Sequence, residues 1–203
     1  MERALAIKER AYGRDHPNVA ITLTNLGIAY GQLGDYAKMR DVLERSLAIE
    51  ERAYGRDHLE VANTLTNLGN AYGELGDQAK ERDMLERALA IQERAYGRDH
   101  PDVAQTLMNL GNAYGDLGDQ AKKRDMLERA LAIFERAYGR DHPSVAFPLA
   151  NLGNLCLAYG VESATQVAKA REYFDRAHAI FERAYGPGHQ VTQQVRAWLA
   201  SVS

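Results

Sequence analysis

The sequence predicts an all-α fold, a solenoid of antiparallel helix pairs, and three observations carry that prediction. An anchor valine recurs at Val19, Val61, Val103 and Val145, a constant spacing of 42 residues. Residues 103–144 differ from residues 61–102 at only six positions. Within each block the apolar residues fall at helical spacing, as at Leu23, Leu26 and Tyr30, and do not alternate as in a strand. A fixed period of roughly 20–50 residues means that each unit stacks only on its neighbours.

In chain order, residues 2–13 (ERALAIKERAYG) align with residues 44–55 (ERSLAIEERAYG), so the chain opens on the second helix of a pair. We expect a fragment of a longer array, or a chain that starts on a half repeat. Leu5, Ala6 and Tyr12 would then be partly uncovered, which invites end-to-end self-association. Residues 19–33 read as a first helix. Residues 36–54 read as a second, with Val42, Leu43, Ser46, Leu47 and Ala53 on its apolar side and Arg40, Glu44, Arg45, Glu51 and Arg52 elsewhere. Gly34 suits the left-handed closure of the first helix, Asp35 the cap of the second and Gly55 its end. Arg14-Asp15-His16-Pro17 offers an Asp cap and a proline tolerated in the next first turn.

The fourth block departs from this plan. Ala130 recurs at Ala177 and not at 172, so five residues are inserted around 160–165. Pro148 lies beyond the first turn of its helix and predicts a kink. After Gly186-Pro187-Gly188, residues 190–202 read as a closing helix with Val191, Val195, Trp198, Leu199 and Val202 on its apolar side. The organisation expected is a half repeat at 1–16, repeats at 17–58, 59–100 and 101–142, a divergent repeat at 143–186, and a capping helix at 187–203.

The 203 residues are 45% hydrophobic and 26% charged, enough for a continuous core and too apolar for disorder. A net charge of −3 with both signs interleaved offers no basic field for a polyphosphate chain, which argues against nucleic acid as a partner. A single cysteine, Cys156, precludes a disulfide framework, and no apolar run approaches the ~18 residues of a membrane span. The first residues lack the apolar core of a signal peptide, so a cytoplasmic location and no membrane partner are expected.

Leu68-Gly69, Tyr72, Gly76-Asp77, Ala88 and Pro101 together resemble the tetratricopeptide repeat, whose usual length is ~34 residues. The 42-residue form, with its long second helix and its GRDHPxVA turn, is similar to the repeats of kinesin light chains and nephrocystin-like proteins. The resemblance covers roughly residues 1 to 190 and implies a right-handed superhelix serving as an adaptor or scaffold for protein partners. One position departs from the family. The small residue of the second helix's first turn is replaced by Met39, Glu81 and Lys123, so the packing within each pair is expected to shift or rotate. In the fourth block Ala170, Phe174 and Ala177 return to the family pattern.

The resemblance also implies that the first helices line a concave surface. The ligand-facing positions carried over are Asn25, Asn67, Asn109 and Asn151, and beside them Ile28, Asn70, Asn112 and Asn154. Asn67 and Asn70 are three apart and share one side of a helix. An amide offers donor and acceptor together, so such a ladder could bond the backbone of an extended peptide, each bond worth ~0.5–1.5 kcal/mol. Alternatively these amides bond adjacent repeats or stand in water. Neighbouring rows, Ile21, Asn63, Gln105 and Phe147, then Thr24, Thr66, Met108 and Ala150, hold no lysine or arginine, while Gln32, Glu74 and Asp116 make the edge mildly acidic. An extended, neutral or mildly basic peptide fits best. The competing class is a structural spacer or self-associating rod without a specific ligand.

Gly27, Gly69, Gly111 and Gly153 are expected to permit close helix approach, and Gly31 with its copies to widen the groove or bring successive first helices together. Tyr30, Tyr72 and Tyr114, and Tyr54, Tyr96 and Tyr138, read as core residues with wet hydroxyls. The pairs Asp15-His16, Asp57-His58, Asp99-His100 and Asp141-His142 recur once per block, too far apart to share one tetrahedral ion, so no metal or cofactor is expected. Every potential acid, base or nucleophile is either repeated or isolated, which argues against an enzyme. Cys156 reads as a buried apolar residue at the register of Tyr114.

Overall fold

A computed structural model describes residues 1–160 and 163–202, with the side chains of 159 and 160 excepted. Of the expected insertion, Val161 and Glu162 lie outside the described residues. The chain divides into two compact units, Met1–Arg98 and Asp99–Ser203. The first holds α1 (Glu2–Tyr12), α2 (Pro17–Gln32), α3 (Tyr36–Tyr54), α4 (Leu59–Glu74) and α5 (Gln78–Tyr96). The second holds α6 (Pro101–Asp116), α7 (Gln120–Tyr138), α8 (Pro143–Gly160), α9 (Ala164–Tyr185) and α10 (Gln190–Ser201). No strand occurs among the described residues.

Local chemistry fixes the helix ends. The Asp35, Asp77 and Asp119 carboxylates accept from the backbone N–H of Lys38, Lys80 and Lys122 at 3.1–3.2 Å and cap α3, α5 and α7. Gly34 adopts φ +75° after α2, as expected. Gly55 closes α3 at φ +89° and ψ 158°, a region that only glycine occupies readily.

At the other junction the cap is the histidine and not the aspartate. His16, His58, His100 and His142 accept through Nδ1 from the backbone N–H two residues on, at 3.1–3.2 Å. The imidazoles also stack on the preceding tyrosines, with centroids 5.0 Å apart for Tyr12–His16 and 4.8 Å for Tyr54–His58. The aspartates turn outward to exposed arginines, Asp15 to Arg52 and Asp57 to Arg94. That second tyrosine ladder is therefore not core: Tyr54, Tyr96 and Tyr138 are 40–47% exposed, whereas Tyr72 and Tyr114 are buried.

In the first unit α2 packs on α3 and α4 on α5, with α3 bridging to α4. Val19, Ala20, Leu23 and Ile49 form one cluster and Val61, Ala62, Leu65, Ala88 and Ile91 another. The buried face of α3 is Met39, Leu43, Ser46, Ile49 and Glu50, and the expected member Ala53 is exposed. No residue of α1 is buried, although Leu5 reaches the first cluster and Ile7 is 61% exposed. Half-buried arginines tie successive second helices: Arg45 reaches Glu9 and donates to the Arg14 carbonyl, and Arg87 does the same with Glu51 and Arg56.

The glycines of the first helices do two jobs. A Cβ at Gly27 would lie 2.7 Å from the Leu43 Cγ, and one at Gly69 3.0 Å from the Leu85 Cγ, so these positions permit close approach within each pair. Gly31 neither widens a groove nor brings first helices together. It makes room for the large residue opposite: a Cβ there would meet the Met39 Sδ at 2.8 Å, and one at Gly115 the Lys123 Cδ at 2.6 Å. At the same register, and allowing for the insertion, the fourth pair carries Leu157 and the fully buried Ala170, with the sizes reversed. The large residues that depart from the family are thus offset across the interface.

In the second unit α6 packs on α7, α8 on α9 and α10 on α9. α8 runs unbroken through Pro148. It has 18 residues against 16 in α6, and α9 has 22 against 19 in α7, so helix extension takes up the five inserted residues.

Candidate functional site

The outward face of the first helices is built by what their buried sides leave over. On α2 it presents Ile21, Asn25, Ile28 and Gln32, all exposed; on α4, Asn63 and Glu74 are exposed and Asn67 and Asn70 half-buried. In the second unit Gln105 and Asp116 of α6 are exposed, Asn109 and Asn112 half-buried, and on α8 Asn151 and Asn154 are half-buried beside Phe147, 40% exposed. The row of Thr24, Thr66, Met108 and Ala150 sits deeper than expected, with Met108 and Ala150 buried. The Asn67 amide donates to the Asn63 carbonyl at 3.0 Å, and Gln105 approaches the Asn109 Oδ1 at 3.5 Å. Neither lysine nor arginine occurs anywhere in α2, α4, α6 or α8, so this face is neutral with acidic ends.

Beneath it in the first unit lies a polar cluster that the periodicity did not signal. Ser46 donates to the Ala20 carbonyl at 2.8 Å and lies 3.2 Å from the Glu50 Oε1, while the Thr24 hydroxyl reaches Ser46 and, across to α4, Thr64. Glu50 is 3% exposed and its Oε2 has no protein partner. Burial pushes its carboxyl above the ordinary value, partly opposed by its hydroxyl neighbours. The legible signal was the register 50, 92, 134, which reads Glu, Gln, Phe inside an otherwise repeated LAIxERAYG. Gln92 and Phe134 are likewise buried.

Burial pushes the Cys156 thiol up, away from the thiolate that nucleophilic work needs. Burial and the bond to Glu44 push Tyr72 up to about 12. Among the described residues no three His, Cys, Asp or Glu side chains gather to hold a metal, and no helix is long and apolar enough to cross a membrane.

Helix pairs whose members are joined by three residues, as at 33–35, 75–77 and 117–119, and which recur every 42 residues define a class of helical-repeat proteins. The chain belongs to the tetratricopeptide-repeat family: models of that repeat match residues 1–49, 30–94 and 82–122, and another matches 103–144. No curated protein sequence matches the chain significantly. Among solved structures it is similar to the nearly identical TPR-like repeats of a kinesin-light-chain-like protein of Podosopora anserina, with 24% identity and TM-score 0.75 over 92% of this chain and 86% of that one. It is also similar to BtubC of P. vanneervenii, with 20% identity and TM-score 0.77 over 99% and 78%. MamA matches at 20% identity and TM-score 0.63 over 90% and 87%. These likenesses are of fold. As a tetratricopeptide-repeat chain it is a protein-interaction module.

Proposed function

We propose that the outward face of the first helices holds extended segments of a protein partner, with Asn25, Asn67, Asn70, Asn109, Asn112, Asn151 and Asn154 bonding the peptide backbone. The observation that carries this reading is where near-identical repeats diverge. Of the six differences between residues 61–102 and 103–144, the exchanges at 63/105 and 74/116 fall on exposed positions of the outward face, and that at 66/108 lies at its base, where Thr66 is half-buried and Met108 buried. That at 92/134 is buried, and the core leucines do not change at all. Repeats multiplied only for length have no reason to vary there. The absence of cations in these helices disfavours acidic ligands and suits a neutral or mildly basic one. The one cysteine, buried and free, suits a reducing compartment such as the cytoplasm.

The test is a displayed library of random peptides panned against the chain and against a variant with Asn67, Asn70, Asn109 and Asn112 changed to Ala, both first checked for fold. Enrichment of a shared motif by the parent and its loss by the variant is the expected result. Equal enrichment by both refutes the amide ladder and moves the binding site to the ends or the other surface of the chain; enrichment by neither leaves the chain a spacer.

A further inference from the structure

The second unit contains a cleft of about 120 Å³ between α8 and α10, floored by α9. Phe147 and Ala150 of α8, Phe181 of α9 and Trp198 of α10 form its apolar walls, and the Asn151 and Gln194 amides stand at it as well. Phe147 meets Phe181 edge-on, with centroids 4.9 Å apart. We propose that this cleft receives one large apolar side chain, of leucine, methionine or phenylalanine size, from an extended segment of a partner protein, while the two amides bond the backbone on either side of it. The proposal rests on the peptide-binding reading above and names the specificity it would have at this end.

The repeat itself indicates what fits. Register 150 corresponds to Met108 one pair earlier and to Thr24 in the first pair. Thr24 points into the seam between two successive first helices, since its hydroxyl reaches Thr64 across it. At that register Met108 is buried, 8% exposed. Ala150 retracts the side chain to a single methyl, and a cleft opens between α8 and α10. The chain thus fills the register with its own methionine in one pair and leaves it open in another.

Size and charge narrow the occupant further. A cavity of ~150 Å³ takes a benzene-sized group, whereas pockets for whole small ligands run to ~300–1,000 Å³. One side chain fits and a free metabolite does not. No lining residue is charged, so a lysine, arginine or carboxylate would lose its water without gaining a counter-charge. The two amides offer both donor and acceptor to a peptide backbone, which a simple lipid tail could not use.

Trp198 is the only tryptophan of the chain, so its fluorescence reports this cleft directly. The probes are acetyl-Ser-Gly-X-Gly-Ser-amide peptides with X as Leu, Met, Phe, Lys or Glu. Leu, Met and Phe are expected to shift the Trp198 emission saturably, at concentrations at least tenfold below any effect of Lys or Glu. Ala150→Met, which plugs the cleft, is expected to abolish the response with a thermal midpoint equal to or above the parent's. If Ala150→Met fails to fold, Ala150→Val serves, with the response weakened several-fold. No saturable shift with any apolar X, or an undiminished response in the folded variant, overturns the proposal. The Asn67, Asn70, Asn109 and Asn112 variant separates the two readings. If it still binds the Leu peptide while Ala150→Met does not, the cleft stands whatever the library panning shows of the ladder; the reverse removes the cleft alone.

Discussion

Exchanging the sizes of Gly31 and Met39 should be far less harmful than changing either alone. Gly31→Leu by itself places a side chain where a Cβ already meets the Met39 Sδ at 2.8 Å. Overpacking of this kind costs about 1–3 kcal/mol, reduced by the ~1 kcal/mol gained when glycine leaves a helix interior. Met39→Ala by itself empties a site that is 7% exposed, at a cost of about 2–5 kcal/mol. In Gly31→Leu/Met39→Ala the new leucine occupies the space the methionine left, the arrangement that Leu157 and Ala170 have in the fourth pair. The double variant should lie within about 1 kcal/mol of the parent, with a coupling of about 2–3 kcal/mol in the cycle. Urea unfolding followed by far-UV circular dichroism measures it, provided the denaturant slope is unchanged. A double variant whose loss equals the sum of the single losses within ~0.5 kcal/mol would refute the argument, because the two residues would then not share one space.

Two further predictions address the junctions and the buried carboxyl. His58→Ala removes the bond to the Glu60 N–H and the stack on Tyr54, and should cost ~1 kcal/mol, with His58→Ser recovering the capping part. A thermal midpoint of the Ala variant at or above the parent's would show that the ring caps nothing. Glu50 has its carboxyl raised above the ordinary 4.5 by burial, so the folded state holds its proton more tightly than the unfolded one. Its contribution is fully present below pH 4.5 and is lost as pH rises through the raised value. Glu50→Gln, the residue found at Gln92, should therefore stabilise the chain at neutral pH, with the gain shrinking as pH falls towards 4.5. A gain that is constant with pH, or a loss at neutral pH, would mean that the fold does not raise the Glu50 carboxyl.

Much of the architecture was legible because it rests on short-range chemistry repeated several times. The helix registers, the Asp35 cap, the Gly34 turn and the closing helix all follow from spacing and residue type. What escaped depends on contacts between helices. Whether Asp15 or His16 caps α2 is decided by the ring's approach to Tyr12, which lies four residues away across a turn. The space at Gly31 is set by Met39 of the following helix, a contact that neither stretch contains alone. The Glu50 cluster draws Thr24, Ser46 and Thr64 from three helices, and no single stretch contains the pattern. On the outward face, the spacing overstated the access of Met108 and Ala150, because depth is set by how closely neighbouring helices approach.

The junction chemistry has a further consequence for how long such a protein can be. Gly13, Gly55, Gly97, Gly139 and Gly186 share φ values of 84–89°. Each is followed three residues later by a histidine whose Nδ1 accepts the same backbone bond, including His189 before α10. A duplication or deletion of 42 residues starting at any of the first three junctions reproduces the joint it interrupts, so no new turn must be found. Array length is thereby separated from joint design, and the reach of the molecule can be lengthened or shortened in whole steps while each hinge keeps the same atoms.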